Sequence, residues 1–434
     1  MGKFFLETYG CQMNVAESFS VERELTNLGW QQAESETEAD LVILNTCAVR
    51  NSAEQRIHGR IGYYQHLKQS KPLSLVVMGC MTERMNSSLR KSFPAVDMLV
   101  GTFGKRDFLN FVSRTEDLRK GSKDFFGEEV YEFLSAEVSP GGFSAYVPIM
   151  HGCNNFCTYC IVPYVRGREI SRKEDEILEE VRRLDARGVR EITLIGQNVN
   201  SYRGDKGADF PALLQKLEDG MESIHWIRFM SSHPKDLSDR LINVIAQSDR
   251  MCSHIHLPVQ HGSNPVLSRM NRGYTREYYL SLVEKLRKAV PGCSLSTDLL
   301  VGFPGEGDED FTATLELLDR VRFDDAFTYK YNSREGTAAA SYEDQVPEQK
   351  KNERLSMLID FQRKITEDNK KKRIGKTVKV LVEGVSKKNP HELLGRTERN
   401  EMVVFPAAGI NIGDFIEVRL DALAGVTFRA TRQF

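Results

Sequence analysis

Three times in the first eighty residues an apolar run ends in a cysteine. Phe4-Phe5-Leu6 leads to Cys11, Leu41-Val42-Ile43-Leu44 to Cys47, and Leu75-Val76-Val77-Met78 to Cys80. The cysteines are 36 and 33 residues apart, one strand–helix unit each, with helical stretches expected over 18–28 and 53–67. Strands alternating with helices in this way predict a parallel sheet. The carboxyl ends of its strands share one edge, where ligands bind. Any one cysteine here is ordinarily a buried thiol. Three at equivalent strand ends point instead to a three-thiolate cluster assembled from residues remote in sequence.

A second triplet is local. In Gly152-Cys153-Asn154-Asn155-Phe156-Cys157-Thr158-Tyr159-Cys160 three thiolates fall on one short loop. No further cysteine follows nearby, and the adjacent His151 reads as a structural residue. A partly filled zinc knuckle is one reading. The other is a cubane with three irons held and the fourth left open for a small molecule. Free thiols for a metal centre need a reducing compartment, which makes cytoplasm the expected location. The N-terminal stretch shows no signal-peptide pattern, and no apolar run approaches 18 residues, so no membrane partner is expected.

A chain of 434 residues calls for two or three domains. Residues 1–115 read as the small parallel-sheet α/β domain and 116–142, where charge and glycine rise, as a linker. Residues 143–370 resume the alternation, with strands expected at 146–150, 191–195, 226–230, 253–257, 294–300 and 326–331. The clearest helix is placed at 172–187, capped by Ser171. Six units predict a partial, TIM-like βα barrel with active residues on loops at the strand carboxyl ends. Its last helix, near Pro347, carries Leu355, Leu358, Ile359, Gln362 and Ile365 at helical spacing, a docking stripe. Residues 371–434 hold short strands between Gly and Pro, the pattern of a small all-β barrel. The chain as a whole is nearly neutral, at −2, but this segment has 12 Lys and Arg against 7 Asp and Glu. The local surplus suits a polyanion.

Polar residues collect after the barrel strands: Gly196-Gln197-Asn198-Val199-Asn200, Ser231-Ser232-His233-Pro234 and Pro258-Val259-Gln260-His261. Gln197 and Gln260 suit an amino acid or a ribose, Asp298 suits ribose hydroxyls, and Ser232 joins them as a binding candidate. Loop capping is the alternative for each. Gly302-Phe303-Pro304-Gly305 lacks a phosphate-loop lysine and reads as a turn. Cys252 and Cys293 precede their strands, on the opposite face, and read as non-ligands. Met150 and Trp226 read as packing. The rings of Phe156, Tyr159 and Tyr164 suit either cofactor contact or shielding of the cluster loop.

With Cys153 to Gly167, Gly10-Cys11-Gln12-Met13-Asn14, Leu194 to Asn200, Ser231 to Pro234 and Leu257 to Gln260, the chain resembles radical S-adenosylmethionine methylthiotransferases over essentially its whole length. The resemblance implies an N-terminal methylthiotransferase domain, a central radical domain and a C-terminal TRAM domain. It also implies two [4Fe-4S] clusters, a radical cluster on Cys153, Cys157 and Cys160 and an auxiliary one on Cys11, Cys47 and Cys80. No protein side chain need act as acid or base. One S-adenosylmethionine supplies the methyl group and a second generates the radical that takes hydrogen from adenine C2. The motif details resemble the branch acting on N6-dimethylallyladenosine (isopentenyladenosine) at tRNA position 37, as does Gly395 to Asn400. His261 departs from that branch, which usually has serine there.

The partners implied are a tRNA anticodon stem-loop, a cellular electron donor and an iron–sulfur or sulfur carrier protein, and the chain is read as a monomer. Arg396 and Arg399, on a turn-prone strand end, are expected to reach phosphates, with Lys387 and Lys388 adding diffuse charge. Three alternatives stand beside this reading: the ribosomal protein S12 aspartate branch, the threonylcarbamoyladenosine tRNA branch, and a non-catalytic iron–sulfur RNA-binding protein.

Overall fold

The architecture was obtained as a computed structural model, which describes residues 2–48, 51–114, 118, 123–127, 131–139, 141–407 and 409–433. Strands β1 (Lys3–Thr8), β2 (Gln31–Gln32), β3 (Leu41–Thr46), β4 (Ser74–Gly79), β5 (Met98–Val100) and β6 (Lys123–Phe125) form one parallel sheet in the order β2-β1-β3-β4-β5-β6. Its inner strands β3, β4 and β5 are largely apolar and buried because both faces are covered, as a parallel sheet requires, while the edge strands β2 and β6 are mostly polar and exposed. Phe4, Leu41, Ile43, Val76 and Met98 point to one face, and Val42, Leu44, Leu75, Val77 and Leu99 to the other. The stretch read as a linker is, in its described residues, built into the domains. Lys123–Phe125 is the sixth strand, Leu134 joins the N-terminal core and Ala136 the central one. Its polar composition hid the few apolar anchors.

The central domain contains β7 (Ser144–Pro148), β8 (Met150–His151), β9 (Ile170–Ser171), β10 (Glu191–Ile195), β11 (Trp226–Phe229), β12 (His254–His256), β13 (Ser294–Val301) and β14 (Asp325–Lys330). Six of these make two parallel three-stranded sheets, β11-β10-β7 and β12-β13-β14, joined by the bridge Ile227–Met251. This is the partial barrel expected, with Val147, Ile192, Leu194, Ile227 and Leu295 in one core with the surrounding helices. Helix Gln12–Asn27 of the first domain packs against it through Met13 and Ala16, which meet Ile195 and Tyr146.

Two helix boundaries differ from expectation. The first helix begins at Gln12, with Cys11 itself at the N-cap. Helix Glu174–Ala186 has Lys173 at its N-cap, while Ser171 lies in β9 and accepts from the Arg203 N–H. The acidic first turn Glu174-Asp175-Glu176 complements the helix dipole without a hydroxyl cap. Helix Glu348–Lys371 starts after Pro347 and buries Leu358, Gln362 and Ile365 as its spacing predicted. Strands β15 (Thr377–Val385), β16 (Glu392–Thr397), β17 (Met402–Pro406), β18 (Phe415–Ala424) and β19 (Thr427–Arg432) close into a barrel in the order β15-β16-β17-β19-β18 around Val380, Val403, Phe405, Val418 and Phe428.

Candidate cluster and cofactor site

The first triplet is set by strand register. Thr46 of β3 pairs with Gly79 of β4, so Cys47 and Cys80 leave adjacent strands at the same level. Gly79 has φ +101, and a Cβ there would lie 2.5 Å from the Thr46 carbonyl oxygen, so only glycine permits the approach. Asn14 ties the edge together. Its Nδ2 donates to Asn45 Oδ1 at 2.8 Å and to the Thr46 carbonyl at 3.0 Å, and the Cys11 thiol donates to its Oδ1 at 3.3 Å. Cys11 caps one helix and Cys80 opens another. Burial pushes the Cys80 thiol up to about 12.

The second triplet lies on a loop closed at its base by an antiparallel pair, Met150 with Ser171 and His151 with Ile170. Gly152 turns the chain at φ +79, where a Cβ would fall 2.0 Å from the Arg168 carbonyl oxygen. The Gly152 N–H donates to Gln197 Oε1 at 2.6 Å and the Cys153 N–H to the Gly167 carbonyl at 3.1 Å. Asn271 Nδ2 holds the carbonyls of Asn155 and Phe156, both at 3.1 Å. Phe156 itself is in the left-handed region at φ 46. Burial pushes Cys153 up to about 11 and Cys160 to about 12. Ligation of iron by these thiols therefore releases protons.

All eight cysteines are free thiols. Among the described residues no three His, Cys, Asp or Glu side chains close around a single metal ion. The donor set suits a cubane instead: three sulfurs per group and a basic side chain on one thiol of each. Arg272 Nη1–H donates to Cys157 Sγ at 3.4 Å, with Nη2 on the Pro258 carbonyl at 2.8 Å. Arg166 Nε–H donates to Cys80 Sγ at 3.0 Å. Neither arginine was singled out from the sequence; each becomes visible only when the loops are folded together. Cys252 packs with Phe143, Trp226 and Leu381, away from both triplets. His151 stacks on Tyr131 at 3.6 Å between ring centres, a structural role as expected.

The strand-end candidates separate into different roles. Gln197 is a tether of the cluster loop. Gln260, at φ 69, joins the sheet through its backbone, receiving its hydrogen bond from the Leu300 N–H and giving one to the Asp298 carbonyl. The Asp298 carboxylate lies 3.7 Å from His256 Nε2 and keeps some access to solvent. Ser232 is buried with no partner for its hydroxyl, and so are Asn198 Oδ1, both amide atoms of Asn200 and His233 Nε2. Buried polar atoms without partners are rare, and five gathered on neighbouring strand-end loops are candidates to meet a ligand or water. Asn200 and His233 were not among the candidates drawn from the sequence, although the polar strand-end motifs contained them. His261 is fully buried 3.5 Å from Glu306 Oε2 and accepts from the Ser263 N–H, which makes it a support of this loop.

Below these loops a cavity of ≈ 110 Å³ occupies the lower half of the barrel, lined by Tyr146, Glu191, Arg228 and His254 together with Gln12 of the first domain and Arg396 of the last. Arg396 Nε–H donates to Glu383 at 2.7 Å and Nη1–H to Asn400 at 3.1 Å. Arg399 is buried and paired with Asp324 and Glu401. The expectation that Arg399 reaches a phosphate is thus corrected, whereas Arg396, its side chain 31% exposed, lines the cavity. Their turn inserts beneath the barrel, where Arg228 donates to the carbonyls of Thr397 and Glu398 at 2.8 and 3.0 Å. Lys387 and Lys388 remain exposed.

Three family models match along the chain: an uncharacterized protein family, UPF0004, over residues 3–101, the radical SAM superfamily over 147–318, and the TRAM domain over 371–429. A tRNA-2-methylthio-N(6)-dimethylallyladenosine synthase of Treponema denticola is 48% identical, covering 98% of this chain and 99% of its own. Proteins of the same name from Treponema pallidum and Parabacteroides distasonis are 49% and 45% identical, covering 98% of this chain and 98% and 94% of their own. The chain belongs to this synthase family. Among solved structures, a radical S-adenosylmethionine methyltransferase from Kitasatospora setae with cobalamin and a [4Fe-4S] cluster bound superposes with a TM-score of 0.60 at 15% identity, over 78% of this chain and 77% of that one, a likeness of fold. Radical SAM membership of this synthase-family chain brings one [4Fe-4S] cluster and S-adenosylmethionine to the barrel. Among the described residues no helix is long and apolar enough to cross a membrane.

Proposed function

We propose that this chain is the tRNA methylthiotransferase that converts N6-dimethylallyladenosine at position 37 to its 2-methylthio derivative, with a second [4Fe-4S] cluster on Cys11, Cys47 and Cys80. The observation that carries the reading is the pair of three-thiol groups on facing sides of one domain boundary, where Cys80 packs with Ile161 and Val165 just beyond the second loop. When bound, the clusters and S-adenosylmethionine supply the electron, the adenosyl radical, the methyl group and the sulfur.

The residues supply placement. Gln197, Asn271 and the Met150–Ser171 pair fix the loop that presents Cys153, Cys157 and Cys160. Ser232, Asn200 and His233 offer unpaired polar atoms for the amino-acid and ribose groups of the cofactor, with Asp298 and Gln260 beyond them. Burial, with Arg272 and Lys235 adding to it, lowers the His233 pKa to about 2, so it binds as a neutral ring. The target base leaves its stack at a cost of a few kcal/mol, on the order of 3. Exposed Lys387 and Lys388 sit where backbone phosphates of the stem-loop add affinity. An electron donor and a sulfur carrier complete the cycle, and a reducing cytoplasm suits the thiols.

Mass spectrometry of tRNA nucleosides from cells lacking and regaining the gene tests the assignment. Loss of the 2-methylthio-dimethylallyl nucleoside and its return are expected. Unchanged nucleosides, with a lost modification on ribosomal protein S12, would replace it by the aspartate-directed reading.

A further inference from the structure

Arg166 is where the two thiol groups meet. It follows Cys160 by six residues, at the end of the short helix Val162–Val165, yet its side chain enters the N-terminal domain. Nε–H donates to Cys80 Sγ at 3.0 Å, while Nη1 and Nη2 donate to Glu17 at 2.9 and 3.3 Å. Only 2% of the residue is exposed. Lys105 Nζ donates to the same Glu17 oxygen at 3.1 Å and to the Thr102 carbonyl at 2.6 Å. His151 closes the pocket 3.4 Å from Nη1, kept neutral by burial and by the two cations. Glu83, the next carboxyl outward, is engaged by the Thr102 N–H at 2.7 Å.

The charges decide the chemistry. Arg166 and Lys105 carry two positive charges into a site where Glu17 carries one negative. A buried charge without a counter-charge is costly, and Cys80 Sγ, 3.0 Å from Arg166 Nε, would supply that counter-charge once it ligates iron. A cationic donor on a cluster thiolate also stabilises the reduced cluster, which has one more negative charge, and so raises its potential.

We propose that Arg166 is a positioning residue that sets the reduction potential of the cluster on Cys11, Cys47 and Cys80 and ties its place to the radical-cluster loop; the inference rests on the proposed second cluster. The geometry lets a single side chain do both, because its Nε and its two terminal nitrogens point to different partners.

The test is redox titration, followed by electron paramagnetic resonance, of the reconstituted full-length chain lacking the radical-cluster thiols (C153A/C157A/C160A). In that background Arg166→Gln should lower the midpoint potential by about 60 mV, a tenfold change in the reduced-to-oxidised ratio for one electron. Glu17→Gln should raise it, since it removes the negative partner and leaves the guanidinium on Cys80. Opposite shifts cannot come from general loosening, which would move both variants alike. Unmoved potentials, or shifts of the same sign, with iron retained would overturn the role of Arg166. If Arg166→Gln does not fold, Glu17→Gln alone decides by whether the potential rises. Absence of iron in the triple-cysteine background would overturn the second cluster, and this inference with it.

Discussion

Arg399 of the C-terminal barrel donates to Asp324 of the central domain at 3.0 Å, and the Arg399 side chain is only 10% exposed. Asp324 also accepts from the Leu295 N–H at 2.9 Å, so the ion pair reaches into the end of β13. A residue in this position belongs to the junction. Arg399→Ala should destabilise the full chain by about 3 kcal/mol, because it leaves Asp324 without its cation, while Glu401 keeps Arg373 at 3.3 Å. Urea unfolding measures this. The salt dependence of tRNA binding should keep its slope, whereas K387A/K388A should flatten it by up to about 0.9 log–log units per lost phosphate contact. The reverse pattern would return Arg399 to the RNA footprint.

The two triplets should be separable by metal content and by reaction. C153A/C157A/C160A is expected to retain about half the iron of the wild type, by analogy of two equal clusters, and to lose reductive cleavage of S-adenosylmethionine. Alanines at Cys11, Cys47 and Cys80 should leave cleavage intact and abolish methylthiolated product. Iron assay and chromatography of the cleavage products read both. Full iron in the first variant would refute the ligand assignment.

Gly152 offers a backbone route to the same loop. An alanine there must move either its Cβ or the Arg168 carbonyl, 2.0 Å apart as the chain stands, at a φ of +79. Gly152→Ala should deplete the radical cluster of iron while far-ultraviolet circular dichroism stays unchanged. Normal iron loading would show that the loop tolerates another path.

Glu17 makes stability depend on pH. Burial alone would raise its pKa, but Arg166 and Lys105 outweigh it and hold the carboxyl at about 2. A folded-state pKa below the unfolded value contributes stability that is present above about pH 4.5 and is lost as pH falls toward 2. The contribution is on the order of 3 kcal/mol at neutral pH. In the iron-free chain, Glu17→Gln should be less stable than wild type at pH 7, and the gap should narrow below pH 4.5. A gap constant across that window would mean that the carboxylate charge is not what Arg166 and Lys105 need.

Much of the molecule was legible before folding, for identifiable reasons. Apolar runs alternating with helical periods gave the two α/β domains, since a strand buried on both faces must be apolar along its whole length. The six cysteines declared themselves because thiols at strand ends and on a tight loop have few other uses. The short strands after residue 371 are separated by glycines and prolines that leave little but a small barrel. Charge was the less reliable guide. Arg396 and Arg399 lie on a polar, turn-forming stretch that looks like surface, and sequence carries no sign that Glu383 will pair with the first and Asp324 bury the second.

The sequence by itself therefore determined most of the strands and helices, the domain order and the two groups of three thiols with the loops on which they lie, because each rests on local periodicity, spacing and residue chemistry. Only the tertiary structure decided which polar residues serve those thiols. Arg166 and Cys80 are 86 positions apart and Arg272 and Cys157 are 115 apart. Nothing local links them, and their contact exists because the packing of two domains and the closing of a barrel place a guanidinium where water has been excluded.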